Sequence, residues 1–269
     1  MNAVNSPVTA ELLARYNISG PRYTSYPTAD RFSSAYGETQ HIAALRRRQR
    51  QMGAPAASCP NPGADPLSVY VHIPFCASLC YFCACNKIIT RHREWAQAYL
   101  QTLQQEVALY RPYLSQRQPV SQLHLGGGSP TFLNDAELEG LMQILRQSFQ
   151  LRADGEYSIE IDPRTVDAGR LRHLKHLGFN RISFGVQDFD ARVQQAVHRI
   201  QPIGQVEALL QAARAEGFAS INMDLIYGLP QQTEHSFAHT LEQVCRLRPD
   251  RIALYGYAHL PERFKAQRR

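Results

Sequence analysis

LSVYVHIPFCASLCYFCACNK, residues 67–87, joins a short β-branched run to four cysteines within ten positions, Cys76, Cys80, Cys83 and Cys85. The run 67–73 reads as a strand. Outward from it the same signal recurs at 120–125, 157–162, 181–186, 221–227 and 251–257. Helix-period segments alternate with these strands at 93–112, 135–149, 167–177, 204–217 and 234–247. In the first of them Leu100, Leu103, Val107 and Tyr110 mark one face, and Asn134, Asp135 and Glu137 mark the start of the second. Six strand–helix repeats predict an α/β fold of parallel strands with right-handed crossovers, either doubly wound or a barrel. In both, ligands gather at the C-terminal ends of the strands. That singles out the cysteine loop, Gly126–Ser129, Asp162–Pro163, Gln187–Asp188, Gly228–Pro230 and Ala258–His259.

The 269 residues carry 29 Lys+Arg against 23 Asp+Glu, and 44% are hydrophobic, which suits a folded domain with a sizeable core. No apolar run approaches the ~18 residues of a membrane span, and the first twenty residues show no secretory signal. The expectation is a soluble cytoplasmic protein, working as a monomer. The basic run Arg46–Arg50 reads as the solvated end of a helix rather than a nucleic-acid patch. The Ala/Pro/Gly-rich stretch 46–66 reads as a mobile surface loop.

Clustered cysteines in a reducing compartment point to metal or redox chemistry, whereas Cys59 and Cys245 stand alone. Cys76-x3-Cys80-x2-Cys83 in a tight loop can aim three sulfurs at one point. Three thiolates can hold a cubane while leaving one iron free, where iron–sulfur sites are normally closed by four. A structural zinc site using all four cysteines is the alternative; the single knot of ligands and the apolar collar of Phe75, Leu79, Tyr81 and Phe82 weigh against it. Gly126–Gly128 offer unshielded backbone to a ligand, and match no dinucleotide or Walker fingerprint.

The cysteine spacing, its place after the first strand and the glycine triplet together resemble the radical S-adenosylmethionine enzymes. The resemblance implies a partial (β/α)6 barrel over 67–269 preceded by an N-terminal arm, 1–66, with a flexible insertion. It implies a 4Fe–4S cluster on Cys76, Cys80 and Cys83, and S-adenosylmethionine on the fourth iron. PRYTSYPTA, YVHIPFC, CYFCxCNK, SQLHxGGGxPT, SIExDPR, GFNRxSxGVQDF, DLIYGLPxQT and YAHLP are similar, more narrowly, to the oxygen-independent coproporphyrinogen III oxidases. That family continues beyond residue 269, so the likeness implies a chain shortened at its C-terminus.

By the same resemblance, a 5′-deoxyadenosyl radical takes a hydrogen from the ring A and B propionates of coproporphyrinogen III. Carbon dioxide leaves, an electron passes to an acceptor, and vinyl groups form. An unidentified electron donor and acceptor are implied, with no nucleic acid. Two S-adenosylmethionines per chain are implied: Tyr70, Gly127 and Glu160 would meet the cluster-bound one. Phe82, Gly128, Ser129, Gln187, Arg199, Asp224 and Ala258 would meet the second, with Ser129 standing where Thr is commoner. Cys85 would not be a ligand, and Tyr23 and Tyr26 belong to an arm that reaches toward the active site. A haem chaperone of the same superfamily is the rival; it lacks the PRYTSYPTA arm and carries an Asp-Phe segment after its cysteine loop.

Overall fold

The computed structural model describes residues 8–18, 27–52, 66–114 and 118–268. Tyr23, Tyr26, Cys59 and residues 53–65 of the expected loop lie outside them. The chain forms two compact units, Met1–Gly53 and Ala54–Arg269.

In the first unit α1 (Ala10–Tyr16) starts at Thr9, whose hydroxyl accepts from Leu12 N at 3.1 Å. Helix α2 (Glu38–Met52) runs through Arg46–Arg50, so the loop expected from residue 46 is helical as far as Met52. Arg46, Arg47 and Arg50 are exposed on it.

The second unit opens with β1 (Leu67–Ile73), followed by two-residue strands β2 (Phe75–Cys76) and β3 (Ile88–Ile89). It continues through α3 (Glu94–Tyr110), β4 (Pro119–Gly127), α4 (Asp135–Ser148), β5 (Gln150–Ile161) and α5 (Ala168–His176). Then come β6 (Arg181–Gln187), α6 (Ala191–Ala196), α7 (Ile203–Ala215), β7 (Ser220–Tyr227), α8 (Glu234–Leu247) and β8 (Arg251–Gly256).

The six long strands are all parallel and lie in the order β1-β4-β5-β6-β7-β8. A doubly wound sheet must reverse its strand order at a switch point. This one never does, so right-handed crossovers put every helix on the same face. The fold is a (β/α)6 sheet, left open because β1 and β8 are edges.

Two elements differ from the sequence expectation. β5 begins at Gln150 rather than 157, and between Val120 and Gln122 its register with β4 jumps from Leu151 to Glu156. The polar stretch before Tyr157 hides the strand from a hydropathy reading. The Tyr157 hydroxyl donates to the carbonyls of Arg152 and Val120, pinning the irregularity. Helix α6 is too short to show a period.

Strand side chains alternate between faces. Ile73, Leu123, Leu125, Ile159, Phe184 and Met223 pack under the helices with at most 1% exposure. Their neighbours Tyr70, His72, His124, Glu160, Ser183, Asn222 and Asp224 line the opposite, concave face. A parallel strand buried on both sides would be apolar throughout; here one face is polar and accessible. No helix among the described residues is long and apolar enough to cross a membrane.

Candidate active site

Parallel strands bring their C-terminal ends to one rim, and the loops there hold most of the expected residues. Backbone closes the cysteine loop at its base: Ile88 N donates to Pro74 O at 2.7 Å, and Thr90 N to Cys76 O at 2.9 Å. Phe75 is buried between Tyr99 and Phe132, with ring centroids 5.6 and 5.3 Å away. Phe82 packs in a small separate core with Val193, Val197 and Leu229.

The three sulfurs are neighbours, close enough for Cys83 and Cys80 to act on Cys76. Among the described residues no three His, Cys, Asp or Glu side chains surround an ion-sized site. Each sulfur has its own surroundings. Burial, then the sulfurs of Cys83 and Cys80, push the Cys76 thiol up to about 11. A hydrogen bond from Cys85, opposed by burial and aided by Lys87, draws Cys83 down to about 6; the same bond drives Cys85 upward. Lys87 Nζ donates to the carbonyls of Cys83 at 2.7 Å and Cys85 at 3.4 Å.

The glycine triplet ends β4 against this loop. Gly127 has φ +125°, and a Cβ there would meet Ile73 O at 2.7 Å. Gly128 N donates to Ile73 O at 2.8 Å and Ser129 N to Phe75 O at 2.9 Å. A Cβ on Gly128 would sit 2.9 Å from Cys76 Sγ, so glycine lets backbone lie on the sulfur.

Beside the triplet, Glu160 Oε2 accepts from Gly127 N at 3.3 Å, and Oε1 lies 3.2 Å from His124 Nε2. His124 Nδ1 is 2.6 Å from Ser158 Oγ, and its ring stacks on Tyr70 at 5.8 Å. Tyr70, Gly127 and Glu160 therefore form one network through His124. His124 lies within SQLHxGGGxPT, where the resemblance assigns it no role; its place two residues before Gly126 on an alternating strand puts it on the concave face.

After β5, Asp162 caps a 3-10 turn, Pro163–Thr165, accepting from Arg164 N at 3.1 Å. The Arg164 guanidinium grips the same carboxylate at 2.7 and 3.0 Å. Burial pushes Asp162 up, but Arg164 and Arg199 outweigh it and hold the group below the usual carboxylate range. Arg199, 7% exposed, donates to Gly185 O at 2.6 Å and to Cys80 Sγ at 3.4 Å.

Gln187 ends β6 in the left-handed region, φ 70°. Asp188, 1% exposed, fixes that turn by accepting from Asp190 N, Gln232 Nε2 and Thr240 Oγ1 at 2.6, 2.6 and 2.9 Å. On β7, burial raises Asp224 to about 6, against bonds from Ser183 and Asn222 and with help from the Glu160 charge. Ser129 is held at the cysteine segment by its backbone, while its hydroxyl is buried and paired with Thr131 at 3.1 Å. Ala258 is joined to the cysteine loop by Gln267, whose amide reaches Ala258 O at 3.2 Å and Phe82 O at 3.4 Å. Gln267 carries no sequence signal at all.

Residues 70–244 match the Radical SAM superfamily. The chain belongs to the Radical SAM superfamily. The chain is 51% identical over 258 residues to the oxygen-independent coproporphyrinogen III oxidase of Escherichia coli (strain K12). It is 49% identical over 262 residues to the enzyme of the same name from Pseudomonas aeruginosa. These alignments cover 96% and 97% of this chain but 53% and 54% of the relatives, so it spans about half their length. The solved radical SAM coproporphyrinogen III oxidase from Escherichia coli superposes with a TM-score of 0.83 at 49% identity. That match covers 95% of this chain and 54% of the solved one.

Membership of the Radical SAM superfamily implies a 4Fe–4S cluster and S-adenosylmethionine. The residues present fit both. In a cubane each thiolate binds a different iron, so the sulfurs must surround a volume rather than meet at a point. Arg164, Arg199 and Lys87 supply positive charge around an anionic thiolate set, and the triplet brings backbone without side chains up to Cys76.

Proposed function

We propose that this chain carries the catalytic barrel of an oxygen-independent coproporphyrinogen III oxidase. It would convert the ring A and B propionates of coproporphyrinogen III to vinyl groups, giving protoporphyrinogen IX, as a cytoplasmic monomer. The observation that carries this is the identity of about half the residues, over nearly the whole chain, to enzymes of that name. The cluster and S-adenosylmethionine, when bound, supply the one-electron cleavage that generates a hydrogen-abstracting radical.

The chain's own residues hold and orient. Cys76, Cys80 and Cys83 are the cluster ligands in this reading. Gly127, Glu160 and Tyr70, already bonded or stacked together, take the cluster-bound S-adenosylmethionine. Glu160 offers a carboxylate to ribose hydroxyls or the ammonium. Phe82, Gly128, Ser129, Gln187, Arg199, Asp224 and Ala258 take a second molecule. The apolar ring of Phe75, Leu79 and Phe82 keeps water from the radical. The four carboxylates of the substrate suit a chain of formal charge +6.

The test is anaerobic reconstitution with iron and sulfide, then incubation with coproporphyrinogen III, S-adenosylmethionine and a low-potential reductant. Vinyl porphyrin and 5′-deoxyadenosine are expected together. Stoichiometric haem binding with no decarboxylation overturns the oxidase in favour of a haem chaperone.

A further inference from the structure

Cys80 is the most enclosed of the three clustered sulfurs, 8% exposed, and it sits against two guanidinium groups. Arg164 Nη2 lies 3.5 Å and Arg199 Nη1 3.4 Å from its Sγ, in donor geometry. A single carboxylate, Asp162, serves both cations: Arg164 at 2.7 Å and Arg199 at 3.4 Å. The Asp162 and Arg199 side chains are only 14% and 8% exposed, so water screens this group poorly. Two cations and one carboxylate leave one positive charge in excess, directed at sulfur.

Among the described residues no guanidinium donates to either other thiol. Cys76 Sγ lies 2.9 Å from where a Cβ on Gly128 would sit, and the single cation beside Cys83 is the Lys87 ammonium, which also donates to the carbonyls of Cys83 and Cys85. The arrangement is also built. Arg199 is anchored twice on Gly185 O, and a Cβ at Gly185 would lie 2.9 Å from Arg199 Nη2. Arg164 is held by Asp162 and reaches His198 O at 3.5 Å.

We propose that Arg164 and Arg199 set the reduction potential of the iron–sulfur cluster through N–H···S bonds to Cys80, with Asp162 dividing the guanidiniums between sulfur and carboxylate. This rests on the assignment of Cys80 as a cluster ligand. Uptake of one electron from a low-potential donor adds negative charge to the cluster. Donors and positive charge at a ligating sulfur stabilise that reduced form and raise the potential. Arg164 is thus a positioning and tuning residue for the first electron transfer.

The experiment is an EPR-monitored potentiometric titration of the anaerobically reconstituted chain, with iron and sulfide assayed on every sample. Arg164→Met removes charge and donors at similar length, and its midpoint should fall below that of the wild type. Asp162→Asn keeps an oxygen to cap the Pro163–Thr165 turn but removes the counter-charge, and its midpoint should rise. Arg164→Lys should fall between wild type and Met. A residue that merely braced the loop would not give shifts of opposite sign. Unchanged midpoints, or both variants moving the same way, overturn the proposal. Should Arg164→Met take up no iron, Asp162→Asn decides alone, and a lowered or unchanged midpoint sinks the idea. A wild-type chain that takes up no cluster overturns the ligand assignment itself, which separates that failure from this one.

Discussion

A methyl group added at Gly128 would lie 2.6 Å from Pro74 O and 2.9 Å from Cys76 Sγ, with no flexible neighbour to yield. Gly128→Ala should therefore displace the sulfur and strip most of the iron from reconstituted protein, measured by iron and sulfide analysis. Gly140, inside α4, has nothing within 4 Å of such a methyl. Gly140→Ala should instead stabilise the fold by about 0.5–1 kcal/mol in denaturant titrations, through helix propensity and a less disordered unfolded chain. Asp224 gives a pH signature of its own. Its folded value, raised by burial to about 6, exceeds the 3.8 of a free carboxyl, so the native state holds the proton more tightly. Its contribution is full below about pH 4 and lost as pH rises through 6. Asp224→Asn should flatten stability across that window and add about 3 kcal/mol at pH 8, since each tenfold change in proton affinity is worth ~1.4 kcal/mol.

Among the elements, the helix ends carry legible energetics. At α4 the Asn134 side chain accepts from Glu137 N at 2.9 Å, while Glu137 returns a bond to Asn134 N at 2.7 Å. Glu137 also pairs with Arg93 at 2.9 Å, tying α4 to the start of α3. Asn134→Ala should cost about 1 kcal/mol of stability. The start of α4 was readable in Asn134, Asp135 and Glu137 because a cap is a local device; the Arg93 pairing was not, being 44 residues away. The end of α8 is the reverse case. Arg248 sits at φ 54°, ψ 57°, a left-handed conformation costly for a residue with a Cβ. Its carbonyl accepts from Arg214, a bond glycine would keep. Arg248→Gly should raise stability by about 1 kcal/mol, seen as a higher denaturation midpoint.

Over the whole molecule, the sheet divides stability from chemistry by alternation. Phe184 faces the helices and is fully buried; Phe184→Ala should cost about 3–5 kcal/mol. One residue earlier, Ser183 faces the concavity and donates to Asp224 while accepting from Asn222. Ser183→Ala should cost about 1 kcal/mol. It should also move the Asp224 proton affinity further up, since the lost bond favours the carboxylate; the pH profile of unfolding reads that change.

The chain by itself determined where the six long strands lie, short of the polar start of β5, which faces they present and where the thiols cluster, because period, caps and spacing are local properties. The six repeats were equally compatible with a doubly wound sheet; only the consecutive strand order excluded it, and strand neighbours are chosen by packing between segments far apart in sequence. The same holds around Cys80. Arg199 lies 119 residues from it and Arg164 84 residues, and nothing in either motif says that both point at one sulfur. The folded barrel brings them there because parallel strands deliver their ends to a single rim.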